Sequence, residues 1–265
     1  MIIENAIVIL GVFIIAFIFA PIGLGGGMLF APLIHYTLDW PIDSKLIAVS
    51  LLLTGVVSWG SGLTHRKEKL VDNQIIRTSL LGAIPGAIFG VIIIQSIESD
   101  FEIIFKVLSI VLISFALSKM TFRNNESDEK LDDTVEKNTS GIILGSGIGG
   151  LLSSVLAIGA GAIYVPTLKI FGRLKTRYSI GSSLNIMMIV VPIAALSHLL
   201  ILTEVQTSEL FDQIFLILTM LSVTFIGSRF GAKLGIKHLD EKKVIYIFIS
   251  VLVVIWLRYI IDVLF

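Results

Sequence analysis

Long apolar stretches separated by short polar ones run from one end of the chain to the other. A helix needs about 20 apolar residues to cross the hydrocarbon core of a bilayer. Six stretches have the length of one straight helix: 44–63, 75–97, 101–121, 177–202, 211–235 and 243–264. The hydrophobic pattern therefore predicts an all-α protein that crosses the membrane several times.

Two further apolar stretches, 2–38 and 141–172, are too long for one straight helix. Glycines interrupt both, in the string 23–27 of the first and at Gly159 and Gly161 of the second. We predict that each stretch forms two shorter helices joined by a glycine turn. Interrupted backbone is tolerated at membrane depth only where protein or a watery cavity satisfies its polar groups, so both breaks should face the interior.

The composition agrees with a membrane protein. Of the 265 residues, 55% are hydrophobic and 15% are charged, whereas a soluble domain has about 25% charged residues. The net charge is zero, so nothing indicates a nucleic-acid partner. The absence of cysteine excludes disulfides and thiol metal sites. The N-terminus lacks a basic segment, so we expect the first apolar stretch to be a retained membrane helix.

An internal repeat divides the chain into two halves, 1–121 and 140–265, joined by the charged linker 122–139. The segment 25–32 resembles 159–166, and further landmarks follow in the same order. The matched residues are Ser50 with Ser183, His65 with His198, Gly82 with Gly227 and Gly86 with Gly231. Chance recurrence of glycines is the alternative interpretation.

The distribution of Lys and Arg predicts how the halves are oriented. These residues are concentrated in four connections and absent from 98–101 and 203–210; the four are 64–75, the linker, 169–177 and 229–243. We therefore expect the linker to be cytoplasmic and both chain ends to lie outside. The predicted fold is two inverted repeats, each with a broken, re-entrant helix pair and three transmembrane helices. It has about eight spans when each broken pair counts as one, a frequent plan among transporters.

The glycine breaks are the candidate substrate site. The helices after the breaks would begin at Gly25, Gly26 and Gly27 and at Gly159 and Gly161. Helix N-termini carry unpaired N–H groups and a partial positive charge, and glycine lets the backbone approach a ligand. Two such ends facing one cavity would bind an anion without Lys or Arg. The alternative is that the glycines only permit a kink or close packing.

Polar side chains inside the apolar spans are further candidates for substrate binding: Ser50, Thr54, Ser58, Ser182, Ser183 and Asn185, with Ser50, Ser182 and Ser183 favoured because the repeat superposes them. They would donate hydrogen bonds to an oxyanion. The alternative is that they join helices to each other, at about 0.6 kcal/mol per hydrogen bond.

Histidines at matching span ends, His65 and His198, suggest gating or proton sensing, with an interfacial position without function as the alternative. We assign structural or hinge roles to Pro21, Pro32, Pro166, Gly82, Gly86, Gly227 and Gly231, because spaced small residues permit close helix contacts.

Residue types and motifs that are absent from the sequence also exclude some classes of function. No carboxylate lies deep in a predicted span, and a cation transporter usually keeps one there. An anion or a neutral solute is therefore favoured. The pattern G-x-G-x-x-G at 145–150 lies in a predicted membrane helix and not in a βαβ unit, so we reject a nucleotide site. No enzyme motif, metal site or cofactor is expected.

The glycine string 22–27 with Pro32, the histidine-bearing loop 63–72 and the paired glycines of both halves resemble the TauE/SafE family of sulfite and organosulfonate exporters. The resemblance covers essentially the whole chain. It implies a bacterial or archaeal plasma-membrane protein that moves sulfur-containing anions such as sulfite, thiosulfate or sulfoacetate. The second copy departs from the family pattern at Ala160 and Ser182, which leaves the substrate open. A homodimer is also left open.

Overall fold

The computed structural model describes residues 2–21, 26–97, 101–122, 137–159, 161–238 and 241–264. Within these ranges the chain forms helices and no strands, which confirms the all-α prediction. The helices are α1 (Ile2–Phe19), α2 (Gly27–Leu38), α3 (Ser44–Lys67), α4 (Asn73–Ser96), α5 (Phe101–Phe122), α6 (Thr139–Leu156), α7 (Gly161–Ile170), α8 (Thr176–Leu200), α9 (Glu204–Asp212), α10 (Ile214–His238) and α11 (Glu241–Leu264).

Six of these helices are long and apolar enough to cross a membrane by themselves: α1, α3, α4, α6, α8 and α10. Both long apolar stretches are divided as predicted, into α1 and α2 and into α6 and α7. Residues 22–25 of the first break lie outside the described residues, as does 123–136 of the linker. The protein is therefore a multi-pass membrane protein with two broken helices.

One helix was not predicted, because the sequence analysis treated 203–210 as a loop. α9 begins there with a capping box: the Thr203 hydroxyl accepts a hydrogen bond from the Gln206 amide, and the Gln206 side chain accepts one from the Thr203 amide. Such reciprocal bonds satisfy two donors at a helix start. α10 consequently begins at Ile214 rather than at 211.

The helices pack in pairs. α3 and α8 pack against each other at the centre, α1 packs on α10, α4 on α6 and α5 on α11. If α1–α5 correspond to α6, α7, α8, α10 and α11, the α1–α10 contact is the counterpart of the α6–α4 contact. This exchange of partners is expected for two related halves, and their inverted orientation stays a prediction.

Glycines bring the backbones of the paired helices into direct contact. A Cβ atom on Gly82 or Gly86 of α4 would overlap a carbonyl oxygen of α6, that of Ile143 or Gly147. In the same way, a Cβ on Gly231 of α10 would overlap the carbonyl oxygen of Phe17 of α1. One on Gly227 would lie 2.9 Å from the carbonyl oxygen of Phe13. Only glycine permits this separation, as in small-residue helix contacts within membranes.

Candidate functional site

The two glycine breaks meet inside the protein. A Cβ atom added to Gly27 would lie 2.5 Å from the carbonyl oxygen of Ala157 and 2.5 Å from the carbonyl carbon of Ile158. Gly27 is the first residue of α2, and Ala157 and Ile158 form the turn that ends α6. The start of α2 therefore lies against the backbone of the second break.

The second break also contacts the two central helices. A Cβ on Gly159 would overlap Cγ2 of Thr54 and lie 2.6 Å from Cε of Met187. Thr54 lies near the middle of α3 and Met187 near the middle of α8, and both helices are membrane spans. Because the middle of a span lies near the middle of the bilayer, the breaks are near mid-depth. Gly161 begins α7 and is buried.

The backbone at the breaks has a conformation that favours glycine. Gly26 has φ 71° and Gly159 has φ 65°, both in the left-handed region, and Ala157 joins them with φ 54°. Gly26 is the N-cap of α2, and no side chain caps that helix. Neither α2 nor α7 has an acidic residue in its first turn. Neither helix thus places an acidic side chain of its own first turn at the positive end of its dipole.

Two serines lie one helical turn before the residues that contact Gly159. Ser50 is fully buried, and among the described residues its hydroxyl has no hydrogen-bond partner. The Thr54 hydroxyl donates to the Ser50 carbonyl oxygen, 2.9 Å away. On α8, the hydroxyl of Ser183, also fully buried, lies 3.9 Å from the sulfur of Met187. Helical spacing thus places both serines on the helix faces that contact the second break, one turn away from the contact.

Ser182 and Asn185 are engaged in local hydrogen bonds. The Ser182 hydroxyl accepts a bond from the amide of Asp72 at 2.9 Å, which joins α8 to the loop between α3 and α4. The Asn185 amide group donates to the carbonyl oxygen of Gly181 in its own helix, at 2.8 Å. Ser182 therefore lies beside that loop, and a substrate role for Ser182 and Asn185 stays a prediction.

The loop that Ser182 contacts is held by Asp72. Its carboxylate accepts bonds from the amides of Gln74 and Ile75, which caps α4, and it pairs with Lys137 at 3.2 Å. Partial burial raises the pKa of Asp72, but the Ile75 and Lys137 hydrogen bonds outweigh it and leave this pKa below its usual value. Asp72 thus attaches the end of the linker to the first half.

The two histidines lie among hydrogen bonds to the helix ends before the breaks. His198 of α8 donates from Nε2 to the carbonyl oxygen of Ser154 near the end of α6, at 3.0 Å. In the other half the Ser61 hydroxyl donates to the carbonyl oxygen of Ala20, at 2.6 Å. His65 lies next to Ser61, with Nδ1 3.1 Å from the Ser61 carbonyl oxygen. The bonds from Ser61 and His198 satisfy carbonyl groups that a broken helix leaves unpaired, whereas His65 bonds within α3, and gating stays a prediction for both histidines.

The three prolines with predicted structural roles occupy two kinds of position, one after a helix end and two inside helices. Pro21 follows the end of α1, whereas Pro32 and Pro166 lie inside α2 and α7. Each is the sixth residue of its helix, so the ring removes an amide donor from the helix interior. Thr54 is one of the polar candidates from the sequence, whereas no site role was predicted for Met187. Its signal was the four-residue spacing from Ser183, which places the two residues on the same face of α8.

Two glycine-broken helix pairs that meet at mid-depth, in a bundle of apolar spans, define the class of membrane transporters. The chain belongs to the sulfite exporter TauE/SafE family, whose model matches residues 8–259. It is also similar to a probable membrane transporter protein of Methanocaldococcus jannaschii, with 24% identity over 231 residues that cover 85% of this chain and 82% of the relative. No solved structure matches the chain.

Proposed function

We propose that the protein is a secondary transporter that exports a small sulfur-containing anion, such as sulfite, thiosulfate or an organosulfonate. It acts in the plasma membrane of a bacterium or archaeon, with the linker 122–139 in the cytoplasm. The observation that carries the proposal is the contact between Gly27 and the turn at Ala157 and Ile158. It brings the start of α2 to the second break.

The binding chemistry follows from that contact. An anion between the breaks would accept hydrogen bonds from backbone N–H groups at the starts of α2 and α7, and both dipoles would favour its charge. Gly25, Gly26, Gly159 and Gly161 allow this approach because they carry no side chain. No Lys or Arg is needed, so release of the anion does not require breaking a strong ion pair.

Serine hydroxyls complete the proposed site. The Ser50 hydroxyl, which has no partner in the part of the chain that the structure describes, is buried one turn from Thr54, and Thr54 contacts Gly159. A buried hydroxyl without a partner is costly unless a ligand or water satisfies it. We propose that Ser50 and Ser183 donate hydrogen bonds to the oxygens of the anion. Ser182 and Asn185 lie on α8 with Ser183 and would support the side of the site that Ser183 forms.

A transporter for another small anion or for a neutral solute is the second candidate, because the breaks contain no group that is specific for sulfur. An intramembrane enzyme is less well supported. It requires a nucleophile or a metal cluster, and the described residues include no group of three or more His, Cys, Asp or Glu that could hold a metal ion.

Flux into reconstituted vesicles tests the proposal. Vesicles with and without the purified protein receive labelled sulfite, thiosulfate, a taurine-derived sulfonate or, as a neutral reference, glycerol. We expect saturable flux of at least one sulfur anion, competition among the anions and no carrier-dependent flux of glycerol. Glycerol flux with no anion flux would support the neutral-solute alternative. Equal flux with and without protein for all solutes would overturn transport.

A further inference from the structure

A hydrogen bond from α3 replaces one that α8 lacks. Pro192 lies inside α8 and has no backbone N–H, so it cannot donate the usual helix bond to the carbonyl oxygen of Met188, four residues earlier. The indole Nε1 of Trp59, on α3, donates to that oxygen at 3.1 Å. Met188 is buried, and a buried carbonyl without a donor is costly. Trp59 therefore supplies, from a neighbouring helix, the bond that Pro192 removes.

Pro192 divides α8 into two parts, and each part contacts the second break or the helix end before it. In the part before Pro192, Cε of Met187 would lie 2.6 Å from a Cβ atom added to Gly159. In the part after Pro192, the His198 imidazole donates to the carbonyl oxygen of Ser154 at 3.0 Å. A change of the angle between the two parts would therefore move Ser154 relative to Gly159 and change the shape of the second break.

The structure around Pro192 allows such a change of angle. Sharp bends in helices occur mostly at proline, where a bond of the helix is missing. The bond from Trp59 restrains this point of α8. The Trp59 side chain is 47% exposed, although its neighbours Val57 and Ser58 on α3 are fully buried. The indole can therefore leave the Met188 carbonyl without displacing a closely packed core.

The part of α8 after Pro192 is also attached to α3 through α9. The Gln206 side chain of α9 donates to the carboxylate of Asp43, the N-cap of α3, at 2.9 Å. Next to it, the buried Lys45 of α3 pairs with Glu209 of α9. These contacts, together with the Trp59 bond, hold the end of α8 against the first half of the chain.

We propose that Trp59 and Pro192 form a hinge in α8 that opens and closes the second break during transport. When the Trp59 bond is made, Met187 and His198 hold the break in the observed arrangement. When it is broken, the part of α8 after Pro192 moves away, separates His198 from Ser154 and lets the anion enter or leave. Hinged movement of this kind gives a site alternating access. The inference rests on the proposed function, because it takes the protein to be a transporter whose site lies at the breaks.

The first test measures the rate of sulfite flux in Pro192→Ala. Alanine supplies the missing N–H, so the Met188 carbonyl regains its helix bond and α8 becomes stiffer. We expect the maximal rate to fall about tenfold, the effect of one added hydrogen bond in the closed state, while KM and thermal stability do not fall. The matched control is Pro85→Ala, because Pro85 lies inside α4 and is exposed. An unchanged maximal rate in Pro192→Ala, or an equal fall in both variants, would overturn the hinge.

The second test asks whether Trp59 acts through the Met188 carbonyl. Trp59→Phe removes the indole N–H in the wild type and leaves that carbonyl unpaired. In the Pro192→Ala background the helix itself supplies the donor. We therefore expect Trp59→Phe to lower the ratio of folded to unfolded protein about fivefold more in the wild type than in Pro192→Ala. Equal losses in both backgrounds would show that Trp59 does not serve this carbonyl, and would overturn the hinge.

The third test does not depend on transport. The chain has no cysteine, so spin labels are attached at Gln95→Cys, near the end of α4, and at Leu200→Cys, the end of α8, both of which are exposed. We expect a main distance and a minor, longer one. Relative to the main distance, the minor one should grow about fivefold in Trp59→Phe and disappear in Pro192→Ala. The control pair Gln95→Cys with Tyr178→Cys, which lies before the hinge, should give a distance that neither substitution changes.

The outcomes separate the hinge from the proposed function. Distances that respond to Trp59→Phe and Pro192→Ala, without flux of any sulfur anion, would leave the hinge standing and overturn sulfur-anion export. Flux of a sulfur anion with one and the same distance in all variants would overturn the hinge alone.

Discussion

The two helix breaks meet the same backbone requirement with different side chains. Before the first break, the carbonyl oxygen of Ala20 is bonded by the hydroxyl of Ser61 from α3. Before the second, the carbonyl oxygen of Ser154 is bonded by the imidazole of His198 from α8. Ala20 and Ser154 stand at the same distance before Pro32 and Pro166. If the predicted repeat relates the two breaks, the difference teaches that related positions keep the need for a partner at the same backbone group, while the side chain that supplies it changes.

The breaks also differ in what surrounds their glycines. Gly27 lies against backbone atoms of Ala157 and Ile158, whereas Gly159 lies against the side chains of Thr54 and Met187. Side chains can rotate away from an added group and a packed backbone cannot. Contact with an added methyl should therefore be less tolerated at Gly27 than at Gly159, where the positive φ adds a strain of its own.

Gly27→Ala should have the largest effect. The added methyl would lie 2.5 Å from backbone atoms of the second break, and overpacking of this kind costs about 1–3 kcal/mol. Because the same contact positions α2, we expect sulfite flux to be lost together with thermal stability. The control is Gly55→Ala on α3, where the nearest atom to the new Cβ is 3.6 Å away. A Gly27→Ala protein with wild-type flux would contradict the account.

Gly86→Ala tests whether the α4–α6 contact is as tight as its counterpart between α1 and α10. We expect a loss of about 1–3 kcal/mol from overlap with the Gly147 carbonyl, and a similar loss for Gly231→Ala. Unfolding in detergent measures both. Gly147→Ala is the matched control, because its Cβ would have 3.5 Å of clearance. A large difference between the unfolding free energies of Gly86→Ala and Gly231→Ala would contradict the correspondence of the α4–α6 and α1–α10 interfaces.

Removal of the carbonyl partners should lower flux less than Gly27→Ala does, although its cost in stability is similar. Ser61→Ala and His198→Ala each leave a buried carbonyl unpaired, which costs about 1–3 kcal/mol. His198→Gln retains a donor and should recover part of the stability. If His198 gates transport instead, His198→Gln will alter the pH profile of flux while stability stays near that of the wild type.

Ser50→Ala should have the smallest effect on stability, since it removes a hydroxyl for which the described residues supply no partner. If that hydroxyl donates to the anion, KM for sulfite rises about fivefold, in the range of one hydrogen bond. Ser79→Ala is the control, because the Ser79 hydroxyl on α4 is equally buried and unpartnered. The same KM in all three proteins would exclude Ser50 from the site.

Much of the architecture could be predicted from the sequence because its signals are local. The apolar stretches and their glycine interruptions predicted both broken helix pairs. The helix α9 was missed because its segment is polar, although Thr203 and Gln206 have capping-box spacing.

The candidate site was less predictable because its contacts join distant parts of the chain. The repeat grouped Ser182 with the substrate site, but packing brings it to Asp72. Similarly, Glu102 and Lys106 have visible helical spacing, whereas their neighbour Asp262 comes from the other end of the chain. Such contacts require the tertiary arrangement.

The central claim is that an anion binds where the two helix breaks meet. It is tested most directly by a crystal structure of the protein with selenite, a sulfite analogue whose selenium is located by anomalous scattering. The account predicts a selenium peak within hydrogen-bonding reach of the first amides of α2 and α7, beside Gly27 and Gly161. Selenium bound only elsewhere, with protein atoms filling the space between these two glycines, would contradict it.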